Sequence, residues 1–451
     1  MKWHVILRVG AGDTYAKELP AGTPRMFVSL DAGNDLFLLR QNVLKQIRDR
    51  LGRVPPAAAM DLLVIAMAVF AADLRILRTW AEDRWSRDIV LHVPVFGVAQ
   101  WRGLGASLVE MLNFLTGDTW HLEFRERAPL PPDQAKPAKD PPEIHDVALF
   151  SGGLDSLAGA IDLLESGRRV ALTGHYGAGV TNSVQQEVLS ALEAHYADRV
   201  VPCMFHVQAL KRETDGESRP NGEAEQSMRS RSFLFLTLGI AVATALGSDR
   251  RLVVSENGFI SLNVPLVNPR IGSCSTRTTH PHFIASFREL LRELQLGSSV
   301  ELPGRFRTKG EMLREVRNQT LLRSIAPNSM SCSHPEQGRY RKLTPGNHCG
   351  YCVPCIVRRA AMAAASLPDA AYDTDILSPE VELTHDTRKD LRAFEIAVTK
   401  RRRQTEQSAV FDVLSSGPLP PEEVRQYAAV YQRGMEEVAR LLTTRGSALS
   451  V

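Results

Sequence analysis

Val147-Ala148-Leu149-Phe150-Ser151-Gly152-Gly153-Leu154-Asp155-Ser156 carries a short apolar strand into a glycine turn, and the turn into a helix expected from Ser156 to Ser166. Two glycines let the backbone turn tightly and approach a ligand closely. The serines and the helix N-terminus offer hydroxyls and unpaired N–H groups to an anion. The stretch therefore reads as a phosphate cradle. It is neither the loop ending in Gly-Lys-Ser/Thr nor the three-glycine dinucleotide fingerprint, since both spacings are missing. The plain alternative is a strand-to-helix turn capped by Asp or Ser. Asp155-Ser156, placed between a strand and a helix, favours the cradle.

Working outward, short apolar runs alternate with helical stretches. Strands are expected at Val170–Thr173, Val200–Val207 and Leu252–Ser255, and helices at Ser183–Tyr196 and Arg231–Leu246. This order implies an α/β fold, a parallel sheet with helices on both faces, whose ligands bind at the carboxyl ends of the strands. The polar stretch Lys211 to Arg229 reads as a lid loop at that edge. Upstream, RAPLPPDQAKPAKDPP (127–142) holds six prolines and reads as a semi-rigid linker. The expected organisation is an N-terminal α+β domain (1–126), the linker (127–142), the α/β domain (143–360) and a helical C-terminal extension (361–451). In the first domain, Lys2–Arg8 and Asp88–Val95 read as strands and Ala57–Leu77 as a buried helix. In the last, Val424, Tyr427, Tyr431, Met435, Val438 and Leu442 recur at helical steps.

The 451 residues are 44% hydrophobic and 23% charged, which excludes global disorder, collagen and coiled-coil rods. With 54 basic against 51 acidic residues the net charge is +3, so no strong basic footprint for stable nucleic-acid binding exists. Lys400 to Arg403 reads as a solvated helix face. The apolar runs Leu62–Ala72 and Phe233–Leu246 fall short of a bilayer span, and Met1 to Gly10 lacks the form of a secretory signal. A cytoplasmic protein without membrane partners is expected.

Six cysteines are too sparse for a disulfide scaffold. Four of them, Cys332, Cys349, Cys352 and Cys355, form C-x16-C-x2-C-x2-C, a spacing that suits a closed tetrahedral Zn2+ site of structural type. An iron–sulfur cluster is the competing reading. Cys203 and Cys274 read as packing or incidental residues.

SGGLDS resembles the pyrophosphatase loop of the N-type ATP pyrophosphatases. Arg231 in SRSFLFL and Thr308-Lys309-Gly310-Glu311-Met312 resemble two further segments of that family. The resemblance implies a HUP-like fold (adenine-nucleotide alpha hydrolase), binding of ATP with Mg2+, cleavage between the α and β phosphates, and adenylation of a substrate oxygen. Ser151, Gly152, Gly153, Leu154, Asp155 and Ser156 would then hold the phosphates, Lys309 and Arg231 would neutralise pyrophosphate, and Asp155 would meet Mg2+ directly or through water. The cysteine segment resembles the zinc motif of the 7-cyano-7-deazaguanine synthases, the QueC-like branch, as does Tyr176-Gly177, which adds Tyr176 to the binding residues.

This chain departs from that branch in its extra length and in Ser255–Asn263 and Arg277–Pro281, which replace an Asn-x-x-Asp pattern. Glu256 can still accept from a guanine-like N–H edge. The long form with SENGF and STRTTHP resembles the QatC-type component of a bacterial anti-phage defence system. That implies an ATP-dependent ligase that joins a deazapurine carboxylate to the N-terminal amine of a small partner protein, which the N-terminal domain would present. A synthase that makes the free nitrile from ammonia is the alternative. Either reaction needs a group to take the amine proton, for which Glu256 and His280 are the candidates. A nucleotide-binding fold without turnover fits poorly with an intact loop and Lys309.

Overall fold

The computed structural model describes residues 1–31, 35, 37–127, 142–177, 179–211, 224–266, 277–335, 347–378, 380–381, 383–401 and 406–443. The core of the expected linker, most of the expected lid, Cys274, and Arg402 and Arg403 lie outside them.

Residues 1–127 form strands β1 (Lys2–Val9), β2 (Arg25–Leu30), β3 (Phe37–Gln41), β4 (Asp88–Val95) and β5 (Thr119–Glu126). All of their mutual pairings are parallel, in the order β5-β4-β1-β2-β3. The expected α+β character is thus corrected to α/β. Alternation marked β1 and β4 as strands, but pairing direction is set by the crossovers, which place helices Val43–Leu51, Ala57–Arg75 and Val98–Thr116 between strands.

The second sheet holds β6 (Asp146–Leu149), β7 (Val170–His175), β8 (Val200–Phe205), β10 (Leu252–Val253) and β11 (Val300–Glu301). It is wholly parallel, in the order β11-β10-β6-β7-β8. The strand expected through Val207 is divided at His206, where the chain leaves the second sheet. It continues as β9 (Val207–Lys211), which closes the first sheet antiparallel to β3. Asn42 holds this crossing, since its side-chain oxygen accepts from His206 N–H at 2.7 Å.

One core runs through both sheets. Val147 and Ala171 face a cluster shared with Val5, Leu62, Ile65 and Val69, whereas their neighbours Ala148 and Leu172 face helices Leu154–Glu165 and Val180–Tyr196 on the other side. Helix Ala57–Arg75 packs along helix Arg231–Leu246. By length and composition it would suffice to cross a membrane, beyond what its uninterrupted apolar run suggested, but most of it is buried inside the protein.

A buried ion cluster ties the two regions together. Arg87 bridges Asp73 and Asp118, and Arg78 also pairs with Asp118. Asp73 accepts from the N–H and hydroxyl of Ser230, at 2.8 and 2.7 Å. Arg78 N–H donates to Glu225 at 3.0 Å and its Nε to Ser227 at 2.9 Å. Residues 224–230, the return end of the expected lid, are therefore bound to the N-terminal region. At the far end of the chain, helix Val424–Thr443 packs against helices Val353–Ala364, Gly258–Leu262 and Lys309–Glu315.

Asp73→Ala strands a buried arginine and a buried serine, so a loss of about 3–5 kcal/mol in urea unfolding is expected. Deletion of residues 1–127 exposes the shared core, and the remainder should be insoluble or lack a cooperative unfolding transition.

Candidate active site

The strand order of the second sheet reverses between β6 and β10, and the loops after these two strands open the crevice where such sheets bind ligands. The first is the glycine turn. Gly152 has φ +75°, and a Cβ there would lie 2.7 Å from Gln185 Cα, so both backbone conformation and space demand glycine. Met330 N–H donates to Gly152 O at 3.2 Å and braces the turn from below. Ser156, in the first helical turn, donates to Gly153 O at 2.9 Å.

Asp155 is buried in that helical turn. Its Oδ2 accepts from Lys309 Nζ at 2.7 Å and from Asn257 Nδ2 at 3.0 Å. Its Oδ1 is buried without a hydrogen-bond partner. Such an atom carries a desolvation cost unless a ligand or cation meets it. Glu256 follows β10. Burial, and then the like charge of Asp155, push its carboxyl well above the ordinary range.

Lys309 opens a helix whose start is over-determined. Thr308 and Glu311 form a capping box, Thr308 donates its hydroxyl to Glu437, and Gly310 N–H donates to the same carboxylate at 3.3 Å. Arg433 clamps Glu311 at 2.6 Å. Glu437 and Arg433 lie on the C-terminal helix, and a Cβ on Gly310 would collide with Glu437. The expected C-terminal extension thus holds the lysine in place.

These groups open on one cavity of about 1070 Å3, lined by Ser151, Gly153, Leu154, Asp155, Ser156, Tyr176, Arg231, Glu256 and Lys309, with Phe70 from the N-terminal region. Gly152 lies beneath the turn and is not among the lining residues. Arg231 lies over the Phe235 ring at 5.0 Å and has no carboxylate partner among the described residues. Its side chain is exposed to the cavity, yet surrounding protein lowers its pKa. Tyr176 OH accepts from Asn42 Nδ2 at 3.2 Å, a second contact from the N-terminal region.

His280 is placed differently from expectation. It is fully buried at the start of helix Pro281–Glu293, where Nδ1 accepts from His282 N–H at 3.3 Å and Nε2 lies 3.1 Å from Ser416 Oγ. It does not line the cavity, and burial lowers its pKa to about 3. Three groups that sequence patterns did not mark do line it: His175, Thr173, whose buried Oγ1 is unpartnered, and Asn182, whose Oδ1 is likewise unpartnered. The orphaned oxygens become visible only once the backbone is folded around them. Glu437 carried no signal either, being one of two adjacent acids, Glu436 and Glu437, within an amphipathic helix.

The four expected cysteines converge. Cys349 Sγ and Cys355 Sγ are 3.8 Å apart, and Cys332 interacts with each of the other three thiols. Backbone N–H groups of His334 and Cys349 point at Cys332 Sγ, at 3.2 and 3.5 Å. His334 is an addition: its ligating nitrogen and the sulfurs of Cys332, Cys349 and Cys352 all lie within 4.8 Å of one another. Soft donors gathered around one point fit a metal ion such as zinc. Ser333, His334 and Pro335 also line the cavity, so ordering this knuckle shapes the wall of the site.

No protein-family profile matches the chain. Two curated proteins are similar to it. The 7-cyano-7-deazaguanine synthase of Novosphingobium aromaticivorans is 29% identical over 252 residues, 52% of this chain and 95% of that protein. The 7-cyano-7-deazaguanine synthase of Synechococcus sp. (strain CC9311) is 27% identical over 236 residues, 49% of this chain and 94% of that protein. The similarity supports a QueC-like relationship, and the remaining half of the chain has no counterpart in either alignment.

Glu437→Ala leaves a buried hydroxyl and N–H unpaired, at about 1–3 kcal/mol each, whereas Glu437→Gln can still accept from Thr308 and should lose less in urea unfolding. Because the folded protein holds the Glu256 proton more tightly than the unfolded chain does, stability should fall as pH rises above the ordinary carboxylate range. Glu256→Gln should flatten that slope when unfolding free energy is measured from pH 5 to 8.

Proposed function

We propose that the chain activates a deazapurine carboxylate, of the 7-carboxy-7-deazaguanine kind, by transferring AMP to it from ATP, and then lets an amine displace AMP. The observation that carries this reading is the orphaned Oδ1 of Asp155, beside Lys309 and the glycine turn, at the switch point of a parallel sheet. An N-terminal helix turn, a buried lysine and a carboxylate oxygen without a partner suit a magnesium-bound polyphosphate. The similarity to two 7-cyano-7-deazaguanine synthases supports a deazapurine as the second substrate.

The chemistry explains the need for ATP. A carboxylate is a poor acyl donor, and AMP turns it into a mixed anhydride with a good leaving group. Ser151, Gly153 and Ser156 with Lys309 would hold the phosphates, while Arg231 is free for an anionic group of either substrate. Asp155 would hold Mg2+, whose part is to offset phosphate charge. In the metal knuckle, Cys332, Cys349, Cys352 and Cys355 would hold Zn2+ in a structural role.

The amine is the terminal amine of a small partner protein in anti-phage defence, and the enzyme is a ligase. Support comes from the resemblance of the long form to the QatC-type component, and from the cavity. At about 1070 Å3 it is at or above the roughly 300–1,000 Å3 of an ordinary small-molecule site, leaving room for an acceptor. The similarity to two 7-cyano-7-deazaguanine synthases favours the alternative, a free nitrile made from ammonia.

With ATP, Mg2+ and 7-carboxy-7-deazaguanine, folded Asp155→Ala and Lys309→Ala variants should form AMP and pyrophosphate at least about 100-fold more slowly than the parent. Parental rates in both would overturn the reading. Intact-mass measurement of small proteins co-purifying with the chain then separates the acceptors: a deazapurine adduct identifies the ligase, and ammonia-dependent AMP release without one identifies the synthase.

A further inference from the structure

We propose that His175 is the proton acceptor for the attacking amine, with Nδ1 as the accepting atom; this rests on the acyl-transfer reading above. Leu149 pairs with Thr173, and Phe150 N–H donates to Thr173 O, so the next residues along the two strands bring His175 to the edge of the sheet beside Ser151. His175 therefore lies at the level of the glycine turn and lines the same cavity as Asp155, Lys309 and Arg231.

The tautomer is determined by a neighbour. Nε2 lies 2.9 Å from Val207 O, and a carbonyl can only accept, so the proton of a neutral ring resides on Nε2 and the lone pair on Nδ1. Nδ1 forms no hydrogen bond with the described residues. The ring is held between Phe235, stacked at 5.6 Å and 27°, and the edge of Phe70 at 6.2 Å. Burial, and to a lesser degree the charge of Arg231, lower its pKa to about 4, against the opposing hydrogen bond to Val207 O, so the resting ring is neutral and its Nδ1 lone pair is unoccupied.

The other candidates are committed elsewhere. His280 caps a helix outside the cavity, Glu256 shares its buried surroundings with the like charge of Asp155, and His334 faces the thiol cluster. In the step itself, the amine lone pair forms a bond to the acyl carbon and the C–O bond to AMP breaks. AMP departs with that electron pair, and the amine proton passes to His175 Nδ1 and then to solvent.

The test separates the two half-reactions in the full-length protein. Carboxylate-dependent ATP–pyrophosphate exchange reads activation, and AMP release driven by ammonium reads transfer. For His175→Gln and His175→Ala, transfer should fall about 100-fold or more while exchange falls less than about fivefold, and added imidazole should restore transfer in His175→Ala. A parallel fall in both reactions, an unchanged transfer rate, or a transfer defect that imidazole does not relieve would overturn the assignment. Absence of exchange in the parent protein would instead overturn the acyl-activation reading, and this inference with it.

Discussion

A lysine buried between two carboxylates is the constraint around which the site is built. Lys309 and Asp155 meet at 2.7 Å, both nearly excluded from solvent, while Glu256 adds a second acid whose hold on its proton is strengthened by burial and by the charge of Asp155. Removing such groups from water is costly, and their attraction repays this only when geometry is tightly held. The surrounding structure supplies that hold. Asn257 donates to Asp155, the capping box orients the first turn at Lys309, and Glu437 fastens that turn to the last helix.

Seen from this pair, the two ends of the chain belong to the site's construction. The C-terminal helix positions Lys309 directly, and its Gly434 allows Phe259, next to the Glu256 loop, to approach closely. The N-terminal region contributes Phe70 to the wall, Asn42 to Tyr176, and an ion cluster that grips residues 224–230, immediately before Arg231.

The α/β pattern, the glycine turn, helix Arg231–Leu246 and the convergence of four cysteines were legible because each is encoded locally, by periodicity or by spacing. What was not legible depends on distant partners. β9 pairs with β3, whose residues lie more than 160 positions earlier, and nothing in Val207–Lys211 announces that neighbour. His280 looked catalytic because it is a histidine in a polar stretch, but its surroundings come from Phe114 and Ser416, far away in sequence. His175 followed an apolar strand and gave no sign of the carbonyl that fixes its tautomer.

The charge pattern also limits how an anion can enter. Lys309 has Asp155 as its carboxylate partner, and Arg231 has none among the described residues, so an incoming anion meets Arg231 without displacing anything. Should the anion then draw Lys309 away, Asp155 would be left charged beside a second acid in a poorly solvated site. That state is tolerable only if a cation or a proton arrives with the anion. Asp155 Oδ1, buried beside the Glu256 carboxyl and without a hydrogen bond from any other described side chain or backbone N–H, is the place where that compensating charge can bind. An anion that displaced Lys309 and the charge that compensates Asp155 would therefore have to enter this site together.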